Sequence, residues 1–256
     1  MADIIGKNRI ALDRVDSTNN YANTLLADSG WPEGTVVVAE EQTHGRGLMK
    51  NRWESAPSEN LLASIIFYPS FLPVQNQFLL SKVVALGIFD TLKAFTDQIW
   101  IKWPNDLYVG ERKIAGILIE NSVMGSVIQS SVAGLGINLN QEKFFSNAPN
   151  PLSLCQIIKR KIDRTEFQEL VFDNIEKWYL FLQSGKRDTL NQIYQSALFR
   201  LGIEAAYTDQ KGAFRGTLTG VNETGQLMIR KNTGETVCYF FKEVEFVLGE
   251  LRQNGT

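Results

Sequence analysis

Residues 99–138 read IWIKWPNDLYVGERKIAGILIENSVMGSVIQSSVAGLGIN, and their pattern decides the fold. Four β-leaning runs, Ile99–Trp103, Leu107–Val109, Lys113–Glu120 and Ser126–Asn138, are divided by the turn residues Pro104-Asn105-Asp106, Gly110-Glu111 and Gly125. Strands joined by turns this short pair antiparallel. Alternation along the first run sets Trp100 and Lys102 on one face and Ile101 and Trp103 on the other, so Lys102 is held on a rigid element.

Upstream, Asp16-Ser17-Thr18-Asn19 supplies helix-capping side chains, and Tyr21, Ala22, Leu25 and Leu26 follow at helical spacing until Ser29-Gly30. Thr35–Glu40 and Leu61–Phe67 read as strands with a polar, glycine-bearing loop, Glu41–Arg52, hung between them. Leu79, Val83, Leu86 and Phe89 recur at three- and four-residue steps, which predicts a long helix over Asn76–Phe95 packed on the sheet. Downstream, Thr165–Gln168 reads as a capping box before a helix with Phe167, Leu170, Val171, Ile175, Trp178 and Leu182 on one face, and a last helix covers Asp188–Phe199. Short strands at 203–208, 213–221, 226–231 and 235–241 then alternate with Gly- and Asn-bearing turns. The expected class is α+β with a mixed, largely antiparallel sheet over 1–196, followed by a small all-β, barrel-like module over 197–256.

Composition bounds the function. Lys+Arg 26 against Asp+Glu 28 gives a net charge of −2, which makes no global electrostatic case for nucleic acid or a membrane surface. Cys155 and Cys238 are far apart with no CxxC, and His44 is the lone histidine, so neither a disulfide framework nor a multi-histidine zinc site is legible. The N-terminus has no apolar signal region, and the longest apolar run, Leu61–Tyr68 broken by Ser64, falls far below the ~20 residues that span a bilayer. A soluble, cytoplasmic protein in a reducing compartment is expected.

Four segments can carry chemistry. Gln42-Thr43-His44-Gly45-Arg46-Gly47 brackets an arginine with glycines, as an anion-binding loop would, or is a solvated surface loop. Lys102 can act as a fixed positive charge for a reacting carboxylate or phosphate, with Asn105 and Asp106 orienting a nucleotide or a metal ion; alternatively Lys102 lies along Trp100 and Asn-Asp only makes a turn. Gly134-Leu135-Gly136-Ile137-Asn138-Leu139 has Leu139 where a dinucleotide fingerprint needs its third glycine, so that motif fails. Its glycines suggest either a bulge or a place where a flat ligand meets the backbone beside Asn138. Lys113-Ile114-Ala115-Gly116 sets a basic residue and a glycine gap in a strand that is otherwise ordinary core.

Taken in order, DSTN at 16–19, EEQTHGRG at 40–47, KWPNDLYV at 102–109 with RKIAGILIE at 112–120, and GLGINLN at 134–140 closely resemble the biotin-protein ligases. The resemblance covers about residues 10–185, and the tail with Gly216-Thr217-Leu218 looks like that family's SH3-like barrel. It implies a catalytic domain like the class II aminoacyl-tRNA synthetases. It also implies activation of biotin with ATP and Mg²⁺ to biotinyl-5′-AMP, then acylation of one lysine of a biotin carboxyl carrier protein. Carried over by motif, Ser17, Thr18, Asn19, Gln42 and the Gly45-Arg46-Gly47 backbone would hold biotin, with Leu48 and Gly116 beside it. Lys102 and Arg46 would be catalytic, Lys102 bridging the biotin carboxylate and the α-phosphate. Arg46, Arg52, Trp53, Asn105, Asp106, Lys113 and Asn138 would hold ATP and the adenylate, Asn138 reading adenine. No permanent metal site is implied; Mg²⁺ comes with ATP, and Asp106 is its candidate neighbour.

The chain also departs from the family pattern GRGRxGRxW, with Leu48 in place of an arginine and Lys50 in place of a glycine, which predicts faster escape of the adenylate. Only fifteen residues precede Asp16, too few for the helix-turn-helix some members carry, so no operator binding is expected. A homodimer is compatible with these residues but not required by them. The alternatives are a lipoate or octanoyl transferase of the same core fold, against which KWPND and RKIAGIL weigh, and a non-catalytic biotin or adenylate sensor, against which Lys102, Arg46 and Asn138 weigh.

Overall fold

The computed structural model describes residues 4–28, 30–49, 51–145 and 150–249. Strands β1 (Arg9–Val15), β2 (Val36–Gln42), β3 (Leu61–Phe67), β4 (Ile99–Lys102), β5 (Asp106–Val109), β6 (Arg112–Met124) and β7 (Val127–Ile137) form one sheet in the order β1-β2-β3-β7-β6-β5-β4. Only β1 and β2 pair parallel; β3 to β7 are antiparallel to their neighbours, as the short turns require. Strand β1 was not anticipated. As an edge strand reading RIALDRV it is largely exposed, so it shows no apolar run. The β6–β7 hairpin is longer than expected, because its outer end projects into solvent with Val123 and Met124 exposed and turns at Gly125, whose φ of 63° needs a glycine-like conformation.

The sheet is buried on both faces, which is why all seven residues of LLASIIF in β3 are buried. Leu61, Ala63, Ile65 and Phe67 join the main core beneath α2 (Phe78–Lys93) and α4 (Arg164–Gln183). Ile66, with Val37 and Val132, meets Ala22 and Leu25 of α1 (Thr18–Leu25) on the opposite face. Helix α4 crosses α2 at Gly87, where a Cβ would fall 2.5 Å from Ile175 Cγ1.

The capping residues differ from expectation. Helix α4 starts earlier than the Thr165 capping box predicts, because Asp163 accepts hydrogen bonds from the Thr165 and Glu166 amides. Leu170, expected on its buried face, is exposed. Ser17 precedes α1 but makes no capping hydrogen bond with its side chain, and α1 ends at Leu25, short of Gly30; Ser29 lies outside the described residues. A further short helix, α3 (Leu154–Ile158), follows β7, and α5 (Arg187–Ser196) ends three residues before the expected Phe199.

Beyond α5, five strands, β8 (Glu204–Asp209), β9 (Gly212–Val221), β10 (Leu227–Lys231), β11 (Thr236–Tyr239) and β12 (Val244–Phe246), form an antiparallel sheet in the order β11-β10-β9-β8-β12. Four match the expected runs; β12 is too short to show a pattern. This module is bound to the rest of the chain by Trp103, just after β4, whose indole N–H donates to Gly225 O at 2.8 Å, and by Gln195 of α5, which pairs with both backbone groups of Val221.

Candidate active site

One large cavity, about 770 Å³, opens on the α1 face of the first sheet. Register explains its floor. Gly136 pairs with both Leu62 and Gly116, Gly134 with Ser64 and Leu118, and Val132 with Ile66 and Glu120, so these residues share one pleat face. Lys102 lies opposite Asp106 and Asp106 opposite Gly116, extending that face to the β4 edge. The register shift between Leu107 and Tyr108 inserts one extra residue in β6, so Tyr108 pairs with Lys113 and turns the lysine onto the cavity side. The Lys113 ammonium then reaches Asp106 Oδ1 at 2.7 Å.

The glycines of β6 and β7 leave room for an aromatic plate. A Cβ on Gly136 would fall 2.4 Å from Trp53 Cε2, and one on Gly116 2.9 Å from Trp53 Cζ3. This explains the glycines as a close approach rather than a bulge. Trp53 Nε1 is buried without a partner among the described residues, and Lys113 Nζ lies 5.5 Å from the indole ring centroid. At the end of β7 the Asn138 amide donates to Leu152 O at 3.1 Å, while its Oδ1 is buried with no donor among the described residues. An unfilled buried acceptor is costly unless a ligand donor completes it.

At the other end, the α1 N-terminus carries a dense polar cluster. Gln42 Oε1 accepts from the Thr18 amide at 2.8 Å and its hydroxyl at 3.0 Å; Ser64 Oγ lies 2.8 Å from Thr18 Oγ1 and 2.6 Å from Asn19 Oδ1. Asn19 Nδ2 donates to Leu118 O and to Glu120 Oε2. Ser17, Thr18 and Asn19 are all buried here, not on a solvated cap.

The loop after β2 is a small hairpin, not an open surface loop: Trp53 N donates to Gly45 O and Gly47 N to Asn51 O, and Arg46 bridges Arg52. Arg46 is engaged by protein, donating to Glu120 Oε1 at 2.6 Å and to Asn20 Oδ1 at 2.7 Å. Arg52 and Leu48 line the cavity, whereas Lys50 lies outside the described residues. Of the expected site residues, only Gly45 does not line the cavity; it packs behind the Trp53 carbonyl. Asn105 reaches the cavity, but its Nδ2 is occupied by Ile117 O at 2.7 Å, which ties the KWPND turn to β6.

Lys102 is different. It makes no hydrogen bond or ion pair among the described residues. Its ammonium sits 5.2 Å from the Tyr108 ring centroid and 4.8 Å from that of Phe246. Burial pushes its pKa below the usual lysine value, with Asp106 opposing. Sequence reasoning missed Ser64, Glu120 and Tyr108, which alternation along β3, β6 and β5 could have placed on the cavity face. It also missed Phe241, Lys242 and Phe246, which the second sheet brings to the same cavity and which no local pattern could have marked.

Residues 11–138 match the model of the "Biotin/lipoate A/B protein ligase family". The chain is 30% identical over 243 residues to the "Bifunctional ligase/repressor BirA" of Bacillus subtilis, covering 93% of this chain and 74% of that protein. It is 28% identical over 239 residues to the "Biotin--[acetyl-CoA-carboxylase] ligase" of Paracoccus denitrificans, covering 88% of this chain and 95% of that one. Among solved structures, the biotin protein ligase of Aquifex aeolicus in complex with biotin and ATP superposes with a TM-score of 0.78 at 27% identity, covering 94% of this chain and 100% of that chain.

Proposed function

The chain belongs to the biotin/lipoate A/B protein ligase family, and from that premise we propose that it activates biotin with ATP to biotinyl-5′-AMP and transfers biotin to a lysine of a biotin carboxyl carrier protein. The single observation that carries this reading is Lys102. It is a cation with no ion pair or hydrogen bond among the described residues, in one cavity with the hydroxyl–amide cluster at Thr18–Asn19 and the Trp53–Asn138 pair.

The ureido group of biotin offers two N–H donors and one carbonyl. Ser17, Thr18, Asn19 and Ser64, all buried, and half-buried Gln42 supply hydroxyl and amide groups of both kinds within one cluster. Trp53 offers its face to adenine, and Asn138 Oδ1 accepts from the exocyclic amine. The biotin carboxylate and the α-phosphate meet at Lys102, whose charge offsets their repulsion without having to leave a partner. A carboxylate oxygen attacks the α-phosphorus, the bond to the bridging oxygen breaks, and pyrophosphate departs. The carrier lysine then attacks the acyl carbon and AMP leaves. Arg46 reaches phosphate by exchanging Glu120 for it, while Arg52 and Lys242, with no side-chain partner among the described residues, face the polyphosphate.

Mg²⁺ enters with the nucleotide. Asp106 is the carboxylate opposite Lys102 and is already paired with Lys113, and no group of three acidic, His or Cys residues among the described residues could cage a metal. This donor set fits an ion that would be carried mainly by the phosphates and would supply charge neutralisation at the leaving group. We divide the chain at 196/197, into a class II synthetase-like catalytic domain and an SH3-like barrel, because all five strands of the second sheet follow α5. No helix among the described residues is long and apolar enough to cross a membrane, and we place the reaction in the cytoplasm with its ATP and carrier.

The test is ATP- and Mg²⁺-dependent transfer of labelled biotin to a carrier domain, with a lipoyl domain and lipoate in parallel, for wild type and Lys102→Ala. Labelling of the carrier by wild type alone is expected. Preferential labelling of the lipoyl domain would replace the substrate, and formation of no adenylate would leave a non-catalytic ligand sensor.

A further inference from the structure

The two rings that flank the Lys102 ammonium come from different parts of the molecule. Tyr108 lies on β5, the strand paired with β4. Phe246 is the last residue of β12 in the second sheet, and it is the nearer of the two, with its centroid 4.8 Å from Nζ against 5.2 Å. The position of Phe246 is fixed from both sides. Its ring packs edge-on to Tyr207 at 5.3 Å and against Phe199 at 6.1 Å. Arg200, whose side chain is only 1% exposed, donates to Val247 O at 2.9 Å and to Glu111 Oε1 at 2.6 Å; the other Glu111 oxygen accepts from Gly249 N. The residue after Phe246 is therefore clamped to the turn between β5 and β6, in the same hairpin that carries Asp106 and Lys113.

A lysine side chain has four rotatable bonds and needs something to hold its end. An acidic partner would do so, but it would compete for the charge that the biotin carboxylate and the α-phosphate require. The carboxylate opposite Lys102, Asp106, is taken up by Lys113. Aromatic faces solve the problem differently, because their negative quadrupole attracts an ammonium without neutralising it. We propose that Phe246 is a positioning residue for Lys102, so that the second sheet, through one ring, sets the reach of the cation that serves adenylate formation. The proposal rests on the reading of Lys102 as that cation. The charged groups around the ammonium are Asp106 on β5, Lys113 on β6, Arg200 after α5 and Glu245 on β12; their signs oppose one another in pairs, and burial is what chiefly lowers its pKa.

The experiment measures biotin-dependent ATP–pyrophosphate exchange by the full chain, with Phe246 replaced by tyrosine, by leucine, and by phenylalanines carrying one, two and three ring fluorines. Fluorine withdraws charge from the ring face at nearly constant shape. Phe246→Tyr should keep kcat within about twofold, whereas Phe246→Leu should lower it about tenfold with KM for biotin and ATP within about twofold. The fluorinated series should lose kcat stepwise with each fluorine while its melting temperature stays at the wild-type value. Equal turnover for leucine and tyrosine, or wild-type turnover for the trifluorinated ring, overturns the role of Phe246 and leaves Lys102 untouched. A wild type that exchanges no pyrophosphate overturns both. If Phe246→Leu does not fold, the isosteric fluorinated series decides alone.

Discussion

Replacing Lys82 by methionine is expected to stabilise the protein at neutral pH and to leave adenylation unchanged. Lys82 lies on α2 with only 1% of its surface exposed, donates to Asn191 Oδ1 at 2.7 Å, and sits 5.6 Å and 5.3 Å from the Phe78 and Tyr194 ring centroids. Burial pushes its pKa from 10.5 down to about 8, with Glu223 opposing. At 1.36 kcal/mol per pH unit, holding the charged form there costs roughly 3 kcal/mol. Methionine fills the same volume, removes that cost, and gives up a hydrogen bond and two ring contacts worth roughly 1 kcal/mol each or less, so a net gain of about 1 kcal/mol follows. The pH dependence fixes the sign. Between about pH 8 and 10.5 the unfolded chain holds the Lys82 proton and the folded chain has released it, so wild-type stability gains from this group as pH rises through that window. The methionine variant lacks that gain, so its advantage is full below pH 8 and shrinks above it. Urea denaturation of both proteins at several pH values, followed by tryptophan fluorescence, measures the difference and cancels titrations common to both. A variant less stable than wild type at pH 7, or a difference that does not move between pH 7 and 10, would refute the assignment of a costly buried charge.

Three further outcomes bear on the site. Leu48→Arg restores the forked cation of the family pattern at the cavity wall and should slow biotinyl-AMP release by about tenfold in a trapping assay; release unchanged or faster counts against the role given to Leu48. Asn138→Ala removes the buried acceptor and should raise KM for ATP about tenfold with KM for biotin unchanged, since loss of one well-placed hydrogen bond is worth about 1–2 kcal/mol; an equal change in both would place Asn138 elsewhere. Gly136→Ala puts a methyl group 2.4 Å from Trp53 Cε2, so the indole must leave its seat; quenched or shifted tryptophan emission and weakened ATP binding are expected, and unchanged nucleotide affinity would remove Trp53 from the nucleotide subsite.

The antiparallel stretch from Ile99 to Asn138 was legible because short turns and period-two alternation are local properties, and helix α2 was legible because its apolar stripe repeats over sixteen residues. The site residues picked from the motifs around Ser17–Asn19, Gln42–Trp53, Lys102–Asp106, Lys113–Gly116 and Asn138 were recognisable as candidate chemistry for the same reason, and each of those named as binding or catalytic except Gly45 lines one cavity. What each side chain does there was not legible. Whether Arg46 is free or held by Glu120, whether Asn105 offers its amide or spends it on Ile117, and whether Lys113 faces the cavity depend on strand register and on a one-residue bulge. Edge strand β1 and three-residue β12 escaped because neither buries enough apolar surface to impose a pattern. Sequence by itself therefore determined most of the elements, those with a clear apolar period, and which residue types can do the chemistry, since these follow from local periodicity and spacing. Only the tertiary structure decided that Lys102 stands between rings of two separate sheets with no ion pair among the described residues, because that placement is set by how the second sheet docks and by no feature of either segment alone.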